Sequence, residues 1–175
     1  MEIITIFEGR LYAAKFLDNP DEFEKAFDSW SDIEYLLRFF EEHQEDLEAG
    51  FYNKITVYEA AQATLHEAAL FENEILIACE KNQLDQLFRN LHHKLFFRLQ
   101  IPKKKAYGTE VHSWLRIYAL QIEDVYIITG SSIKLTKTMQ ERMHTKQELA
   151  KLAICSDYFK SESINSKEAL LEIVI

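Results

Sequence analysis

The sequence has few of the residues from which several common ligand sites are built. It contains only 4 glycines in 175 residues and no P-loop, GxGxxG or GxSxG motif. These absences exclude a glycine-rich phosphate cradle and the usual serine-hydrolase signature. His66 and Glu67 do not form HExxH, because position 70 is a leucine. We therefore predict no cofactor.

Cysteine is also scarce. The 2 cysteines, Cys79 and Cys155, lie far apart, with no CxxC pair and no histidine at ligand spacing near either. We expect two buried, reduced thiols and no metal, with a disulfide or a metal site as the alternatives.

Long apolar runs are missing too. No run approaches the roughly 20 residues that a membrane-spanning helix needs, and the segment MEIITIFEGR has neither the basic start nor the cleavage site of a signal peptide. We therefore expect a cytoplasmic protein with no membrane partner. The composition, 47% hydrophobic and 13% aromatic, is rich enough to bury a core, so residues 1–175 are predicted to form one domain.

The charges are unevenly distributed along the chain. Residues 1–90 contain 20 acidic and 7 basic residues, whereas residues 91–175 contain 9 acidic and 13 basic ones, for a total net charge of −9. An acidic half joined to a basic half can mean self-masking, a basic partner, or a well-solvated helical surface. We favour the last interpretation, because acidic residues are common on exposed helices.

The acidic half predicts a strand followed by helices. Glu2–Phe7 reads as a strand, and residues 10–17 continue as a second strand or begin a helix. Capping signals place the helix starts at Asn19 before Pro20, at Ser31 with Glu34 in a capping box, and at Thr56 before a helix to about Asn82. The second of these helices is expected to end at Gly50.

The basic half is dominated by a strand pair. Because side chains alternate in a strand, Trp114, Arg116, Tyr118 and Leu120 are expected on one face and Leu115, Ile117 and Ala119 on the other. A polar turn at residues 122–124 leads into a second strand at residues 125–129, and Gly130-Ser131-Ser132 is expected to break it. Together with the acidic half, this pattern predicts an α+β domain whose N-terminal helices pack on a mainly antiparallel sheet.

The segments that flank the hairpin are less regular. Residues 95–99 form a candidate strand, and Lys103-Lys104-Lys105 before Tyr107 reads as an exposed basic loop. After the hairpin, Thr145 with Glu148 predicts a capping box and a C-terminal helix to about Lys160, followed by a short helix from Ser166 to Val174.

The basic residues of the second half form the candidate site. If the predicted strands share one sheet, Arg98, Arg116 and Lys134 project from the same face, close to the lysine loop. Such a surface suits a phosphodiester backbone, and Tyr107, Trp114 and Tyr118 offer rings on which bases can stack. The residues predicted to bind RNA are Arg98, Lys103, Lys104, Lys105 and Tyr107. The alternative interpretation is a set of solvated charges on an open sheet face.

The same groups are also able to cleave RNA. An imidazole or an amine can help to activate the 2′-hydroxyl, and arginine or lysine can stabilise the charge that develops on phosphorus.

The pattern Leu115-Arg116-Ile117-Tyr118, a hydrophobic strand at 125–129, and Lys134, Lys137 and Thr138 ahead of a helix resembles the RelE/ParE superfamily of toxins, especially its HigB-like branch. The match covers about 40 residues. This resemblance implies a RelE-like fold and a metal-independent endoribonuclease that acts on RNA at the ribosome and pairs with an antitoxin-like protein. It also implies catalytic roles for Arg116, Lys134 and Lys137.

The same stretch also resembles a set of proteins of the kind found in Bacteroidetes, which share the pattern WLRIYA, ITG, IKLT and HTxxEL. That resemblance implies no function. The leading hypothesis is therefore a toxin-related protein that acts on RNA or the ribosome. The alternative is a non-enzymatic protein-interaction module that uses the same face.

Overall fold

A computed structural model describes residues 1–49, 55–91, 101–110 and 112–175. The strands in these ranges are β1 (Glu2–Phe7), β2 (Leu11–Lys15), β3 (Arg89–Asn90), β4 (Lys103–Tyr107), β5 (Leu115–Ile122) and β6 (Val125–Ile133). The helices are α1 (Glu22–Ser31), α2 (Ile33–Glu42), α3 (Gln44–Glu48), α4 (Val57–Glu80), α5 (Leu84–Leu87), α6 (Met143–Ser161) and α7 (Lys167–Leu171). Within the described ranges, no helix is long and apolar enough to cross a membrane.

The six strands form one sheet in the order β1-β2-β6-β5-β4-β3. The pair β2–β6 is parallel, and the other four pairs are antiparallel. The predicted α+β class is confirmed, and the sheet is mixed.

Helices cover both faces of the sheet. One core joins buried residues of α1, α2 and α4 to Leu115, Ile117 and Ala119 of β5. The other core joins α6 and α7 to Tyr118 and Leu120 of the same strand. The alternation of β5 side chains therefore follows the predicted pattern, because each face supplies one core.

Trp114 departs from that alternation. It lies just before β5 and belongs to the core of α1, α2 and α4, where its ring packs 5.4 Å from that of Phe40. The indole N–H donates to Thr64 Oγ1 of α4 at 2.8 Å. The expected placement of Trp114 on the face of Arg116 is wrong, because the strand pattern begins one residue later.

The predicted break at Gly130-Ser131-Ser132 is also wrong, since β6 continues to Ile133. A bulge between Tyr118 and Ala119 shifts the register of β5 on β6 at this point. A Cβ atom on Gly130 would lie 1.8 Å from Glu148 Oε2. Glycine here therefore makes room for a carboxylate from α6 and does not end the strand.

Two helix starts lie beyond the predicted caps. Asp21, not Asn19, caps α1 by accepting hydrogen bonds from two backbone N–H groups, and Asp32 does the same for α2 in place of Ser31. An ionised carboxylate can accept both N–H groups of the first turn, which favours aspartate at these positions. Thr56 caps α4 as predicted.

The C-terminal helix also starts earlier than predicted. α6 begins at Met143, and the hydroxyl of Thr145 donates to Met139 O at 2.6 Å instead of capping a helix. Glu148 accepts a hydrogen bond from Ser131 N at 3.0 Å, so it takes no part in a capping box. Ser166 caps the short helix α7. The last helix ends at Leu171, before the predicted Val174.

The prediction of one helix between Ser31 and Gly50 is wrong, because His43 leaves the helical conformation and separates α2 from α3. The predicted helix end at Gly50 and the candidate strand at 95–99 lie outside the described residues.

Candidate functional site

A basic cleft opens where β4 ends, β5 begins and β6 ends. Its main hollow has a volume of about 690 Å³, and an adjoining hollow has a volume of about 310 Å³. Four residues line both hollows: Tyr107, Arg116, Lys134 and Lys137. We use the name basic cleft for these four residues and the space around them. Lys105 lines the smaller hollow, and Arg89 and His112 line the larger one.

Strand register brings the cleft residues together. In the antiparallel pair β4–β5, Tyr107 lies opposite Arg116 and Lys105 lies opposite Tyr118. Because directly opposed residues project from the same face of a sheet, these side chains share the face on which Tyr118 packs. Lys134 follows β6 at once, and its backbone N–H donates to Trp114 O at 2.8 Å.

The three consecutive lysines do not lie on one face of the sheet and do not all line the cleft. They form most of strand β4, so the predicted exposed loop is wrong. Lys104 lies opposite Ala119, on the other face from Lys105, and its Nζ donates to Asn90 Oδ1 at 2.9 Å. Lys103 lies opposite Leu120, farther from the cleft. Only Lys105 and Tyr107, of the residues predicted to bind RNA, line the cleft, and Arg98 lies outside the described residues.

The guanidinium of Arg116 is held in a defined position. Its Nη1 donates to Ser113 O at 2.7 Å and to Leu115 O at 2.6 Å. Its Cζ lies 4.1 Å from the centroid of the Tyr107 ring, and Lys105 Nζ lies 5.3 Å from the same centroid. These cation–π contacts and hydrogen bonds orient the side chain before any ligand binds.

The ammonium of Lys134 lies close to other cations. Its Nζ donates to Thr136 O and to Lys137 O, both at 2.6 Å. Burial lowers the pKa of Lys134, and the positive charges of Arg116 and Lys105 lower it further. The fold therefore concentrates positive charge at one end of the sheet in an acidic protein.

The loop between β4 and β5 is anchored from α4. Glu67 is 4% exposed, and its Oε1 accepts a hydrogen bond from Glu110 N at 3.1 Å. A Cβ atom on Gly108 would lie 2.1 Å from the same oxygen, so the close approach needs glycine. Helix α4 thus fixes the position of the loop between β4 and β5, which forms part of the cleft wall.

Two aromatic residues predicted to stack on bases are buried. Trp114 and Tyr118 are 6% and 1% exposed, and the hydroxyl of Tyr118 lies 2.9 Å from Ser132 Oγ. Their rings are covered by core residues, so the prediction of base stacking on them is wrong. Tyr107 is half-buried, and one face of its ring is occupied by Arg116.

Neither cysteine contributes to the cleft. Cys79 and Cys155 are free and buried, as predicted. Burial raises the pKa of the Cys79 thiol to about 11 and that of Cys155 to about 12. In the described part of the chain, no group of three or more histidine, cysteine, aspartate or glutamate residues could hold a metal ion.

Sequence reasoning missed several residues of the cleft wall, among them three charged ones, Glu74, Arg89 and Glu110. Glu74 belongs to α4, Arg89 to β3 and Glu110 to the loop after β4. No local pattern links these positions, because the tertiary fold alone brings them together.

The comparisons with known proteins give no relatives. No protein-family model matches the chain, and no curated protein or solved structure matches it either. The resemblance to the RelE/ParE superfamily therefore stays a prediction.

Proposed function

We propose that this protein binds single-stranded RNA, with the phosphodiester backbone in the basic cleft. One observation carries the proposal: Arg116 Cζ and Lys105 Nζ lie 4.1 Å and 5.3 Å from the centroid of the Tyr107 ring, and Lys134 lines the same hollow. Like charges that a fold holds together repel one another, and a bound anion would relieve the repulsion. Phosphate is one of the anions that arginine and lysine recognise through charge-assisted hydrogen bonds.

The shape of the cleft supports a single strand. Its volume of about 690 Å³ is within the range of ~300–1,000 Å³ that is typical of small-ligand pockets. A flexible strand can enter such a hollow one nucleotide at a time, whereas a duplex is too wide and too stiff. Neither Lys105 nor Lys137 forms an ion pair with any described residue, so both are available to a ligand.

The salt dependence of RNA binding tests this proposal. The dissociation constant of a short fluorescent oligouridylate would be measured by anisotropy at several salt concentrations. We expect Lys105→Ala and Lys137→Ala each to reduce the slope of log affinity against log salt by about 0.7, the value for one lost phosphate contact on a single strand.

Lys104→Ala is a matched control, because Lys104 has the same charge one residue away on the opposite face of β4. We expect it to leave the slope close to that of the wild type. An oligouridylate that does not bind, or a response to Lys104→Ala as large as that to Lys105→Ala, would contradict the proposal.

We propose further that the bound RNA is cleaved, by the reaction that the RelE/HigB resemblance implies. The 2′-oxygen would attack the adjacent phosphorus as its proton passes to a base, and the bond to the 5′-oxygen would break as that oxygen gains a proton. Lys134, with its lowered pKa, and His112 are the candidate proton carriers in the cleft. Arg116 and Lys137 would stabilise the charge on phosphorus.

Induced expression in bacteria tests cleavage. We expect growth arrest with loss of RNA integrity for the wild type and relief by Arg116→Ala. Arg38→Ala is the control, since Arg38 is exposed on α2 and does not line the cleft. Because Arg116→Ala can loosen the loop that Arg116 holds, Lys137→Ala at an exposed position provides a second variant. Normal growth with intact RNA at high expression would refute cleavage and leave RNA binding to its own test.

The alternative function, a protein-interaction module, receives less support. A flat or apolar surface, or acidic helices folded over the lysines, would favour this alternative. The observed surface is concave and lined by cations, and α1 and α2 pack on the opposite face of the sheet.

A further inference from the structure

Two histidines meet where α2 and α3 reach the start of α6. His43 separates α2 from α3, and His144 lies in the first turn of α6. Their rings are edge to face with centroids 4.9 Å apart, and they lie 4.3 Å and 5.2 Å from the ring of Phe39. Phe39 is buried and both imidazoles are half-buried, so the three rings join α2 to α6 largely away from solvent.

The hydrogen bonds of the two imidazoles fix where their protons lie. His144 Nε2 is 3.0 Å from Ile133 O, and His43 Nδ1 is 2.9 Å from Phe39 O. Because a carbonyl oxygen only accepts hydrogen bonds, both of these ring nitrogens carry a hydrogen. Neutral imidazoles therefore complete both bonds, and a further proton adds a positive charge that neither bond requires.

The bond from His144 holds the strand end from which a cleft lysine departs. Ile133 is the last residue of β6 and lies opposite Leu115 of β5, and Lys134 follows it directly. The Nζ of Lys134 in turn donates to Lys137 O at 2.6 Å. His144 thus fixes the start of the segment 134–142, which carries two of the four cleft residues.

The other end of this segment is held by α3. Arg142 Nε donates to Asp46 Oδ2 at 2.7 Å, and Arg142 Nη2 donates to the second oxygen of the same carboxylate. The side chain of Asp46 is 10% exposed, so this ion pair is partly shielded from solvent. Both ends of the segment therefore depend on the contact between α3, the preceding His43 and the start of α6.

The surroundings of His144 oppose its protonation. Burial is the largest cause that lowers the pKa of His144 below its ordinary 6.5. The charges of His43 and Arg142 lower this pKa further, whereas the bond to Ile133 O and the charge of Asp46 raise it. Because the folded state favours the neutral ring, this packing is at full strength above about pH 6.5 and weakens as the pH falls below it.

We propose that His144 is a positioning residue for RNA binding, whose neutral ring holds Lys134 and Lys137 in the basic cleft and whose protonation releases the segment that carries them. This inference rests on the proposed binding of RNA and adds control of the same site by protons.

The expected direction is opposite to that of ordinary electrostatics. Protonation of a histidine adds positive charge, which by itself strengthens binding to RNA. His112 lines the cleft and contributes such a gain. Because His112 is present in every variant tested, a comparison between variants removes its contribution and isolates that of His144.

Anisotropy with labelled oligouridylate at about pH 7.5 and about pH 5.5 tests the inference. In His144→Gln the amide nitrogen can donate to Ile133 O in place of Nε2, and it does not titrate. We expect wild type and His144→Gln to bind alike at the higher pH. On acidification the wild type should lose at least about fivefold in affinity relative to the variant, the lower end of typical coupling between two sites. His66→Gln is the matched control and should follow the wild type, because His66 is exposed on α4 and does not line the cleft.

Titration of His144 by NMR gives a second readout that needs no variant. Coupling between two ligands is reciprocal, so bound oligouridylate should lower the pKa of His144. A phosphate that acted only through its negative charge would raise this pKa.

The outcomes separate the two proposals. An affinity that changes with pH in parallel in wild type and His144→Gln, or a pKa of His144 that the RNA leaves unchanged or raises, would overturn the positioning role and leave RNA binding intact. Oligouridylate that binds at neither pH would overturn both.

Discussion

Substitution of Glu148 by glutamine should remove most of the pH dependence of folding stability between mildly acidic and neutral pH. Glu148 lies on α6 and faces β6, in a buried group of three charges. Lys151 Nζ lies 2.8 Å from Glu148 Oε2 and 2.5 Å from Glu22 Oε2. The side chains of Glu22, Glu148 and Lys151 are 4%, 12% and 20% exposed, so two carboxylates share one ammonium away from water.

The magnitude follows from the pKa of Glu148. Burial raises this pKa to about 7 from an ordinary value of 4.5, and Glu22 adds to the rise while Lys151 and Lys25 oppose it. Because the folded state holds the proton more tightly than the unfolded state, stability is highest below about pH 4.5 and falls as the pH rises to about 7. At roughly 1.4 kcal/mol per pH unit, the loss is on the order of 3 kcal/mol.

The assay is denaturant unfolding of wild type and Glu148→Gln at about pH 5 and about pH 8. Glutamine keeps an oxygen that can accept from Ser131 N–H, and it leaves Lys151 paired with Glu22. We expect the wild type to lose about 2.5 kcal/mol more than the variant between the two conditions, because part of the total loss has already occurred by pH 5. Glu162→Gln is the control, because Glu162 is exposed at the end of the same helix. An equal loss in wild type and Glu148→Gln would refute the reasoning.

Two further substitutions test close contacts between the sheet and the helices, by denaturant unfolding at neutral pH. Gly130→Ala should destabilise the fold by about 1–3 kcal/mol, because the new methyl group meets the Glu148 carboxylate, whose oxygen is 1.8 Å from the Cβ position. An unchanged denaturant midpoint of unfolding would contradict this close approach. Trp114→Phe should lower the free energy of unfolding by about 1 kcal/mol through loss of the indole hydrogen bond to Thr64. If that bond is the cause, Trp114→Phe should cost less in a chain that already carries Thr64→Val than in the wild type.

The hairpin was predictable because its signal is local. Period-two alternation assigns Ile117 and Tyr118 to opposite faces, and both faces are covered by helices that supply separate cores. The turn was also predictable, since Glu123 and Asp124 are polar residues between two apolar runs. In the structure Glu123 adopts a left-handed conformation with φ of 53°. Such features depend on residues that are close in the sequence.

The errors arise where distant residues decide the outcome. Gly130 reads as a strand break until Glu148 of α6 is placed against it. Lys103–Tyr107 reads as a loop because three charges rarely favour a strand, and its pairing with β5 and with Arg89 and Asn90 is not local. Glu74 and Glu110 of the cleft wall were missed for the same reason, since only the folded chain brings them to one hollow.

The fold also explains how an acidic protein can present a basic site. Asp32, Glu34 and Glu41 are exposed residues of the segment that forms α2 and its cap, and α2 packs in the core that contains Leu115, Ile117 and Ala119 of β5. Arg116 and Lys105 project from the other face of β5 and β4. Beyond a Debye length of about 8 Å at physiological salt, exposed charges are largely screened. The local charge of the cleft, and not the net charge of −9, should therefore govern anion binding at physiological ionic strength. At low salt the distant carboxylates should weaken RNA binding, so the plot of log affinity against log salt should flatten there.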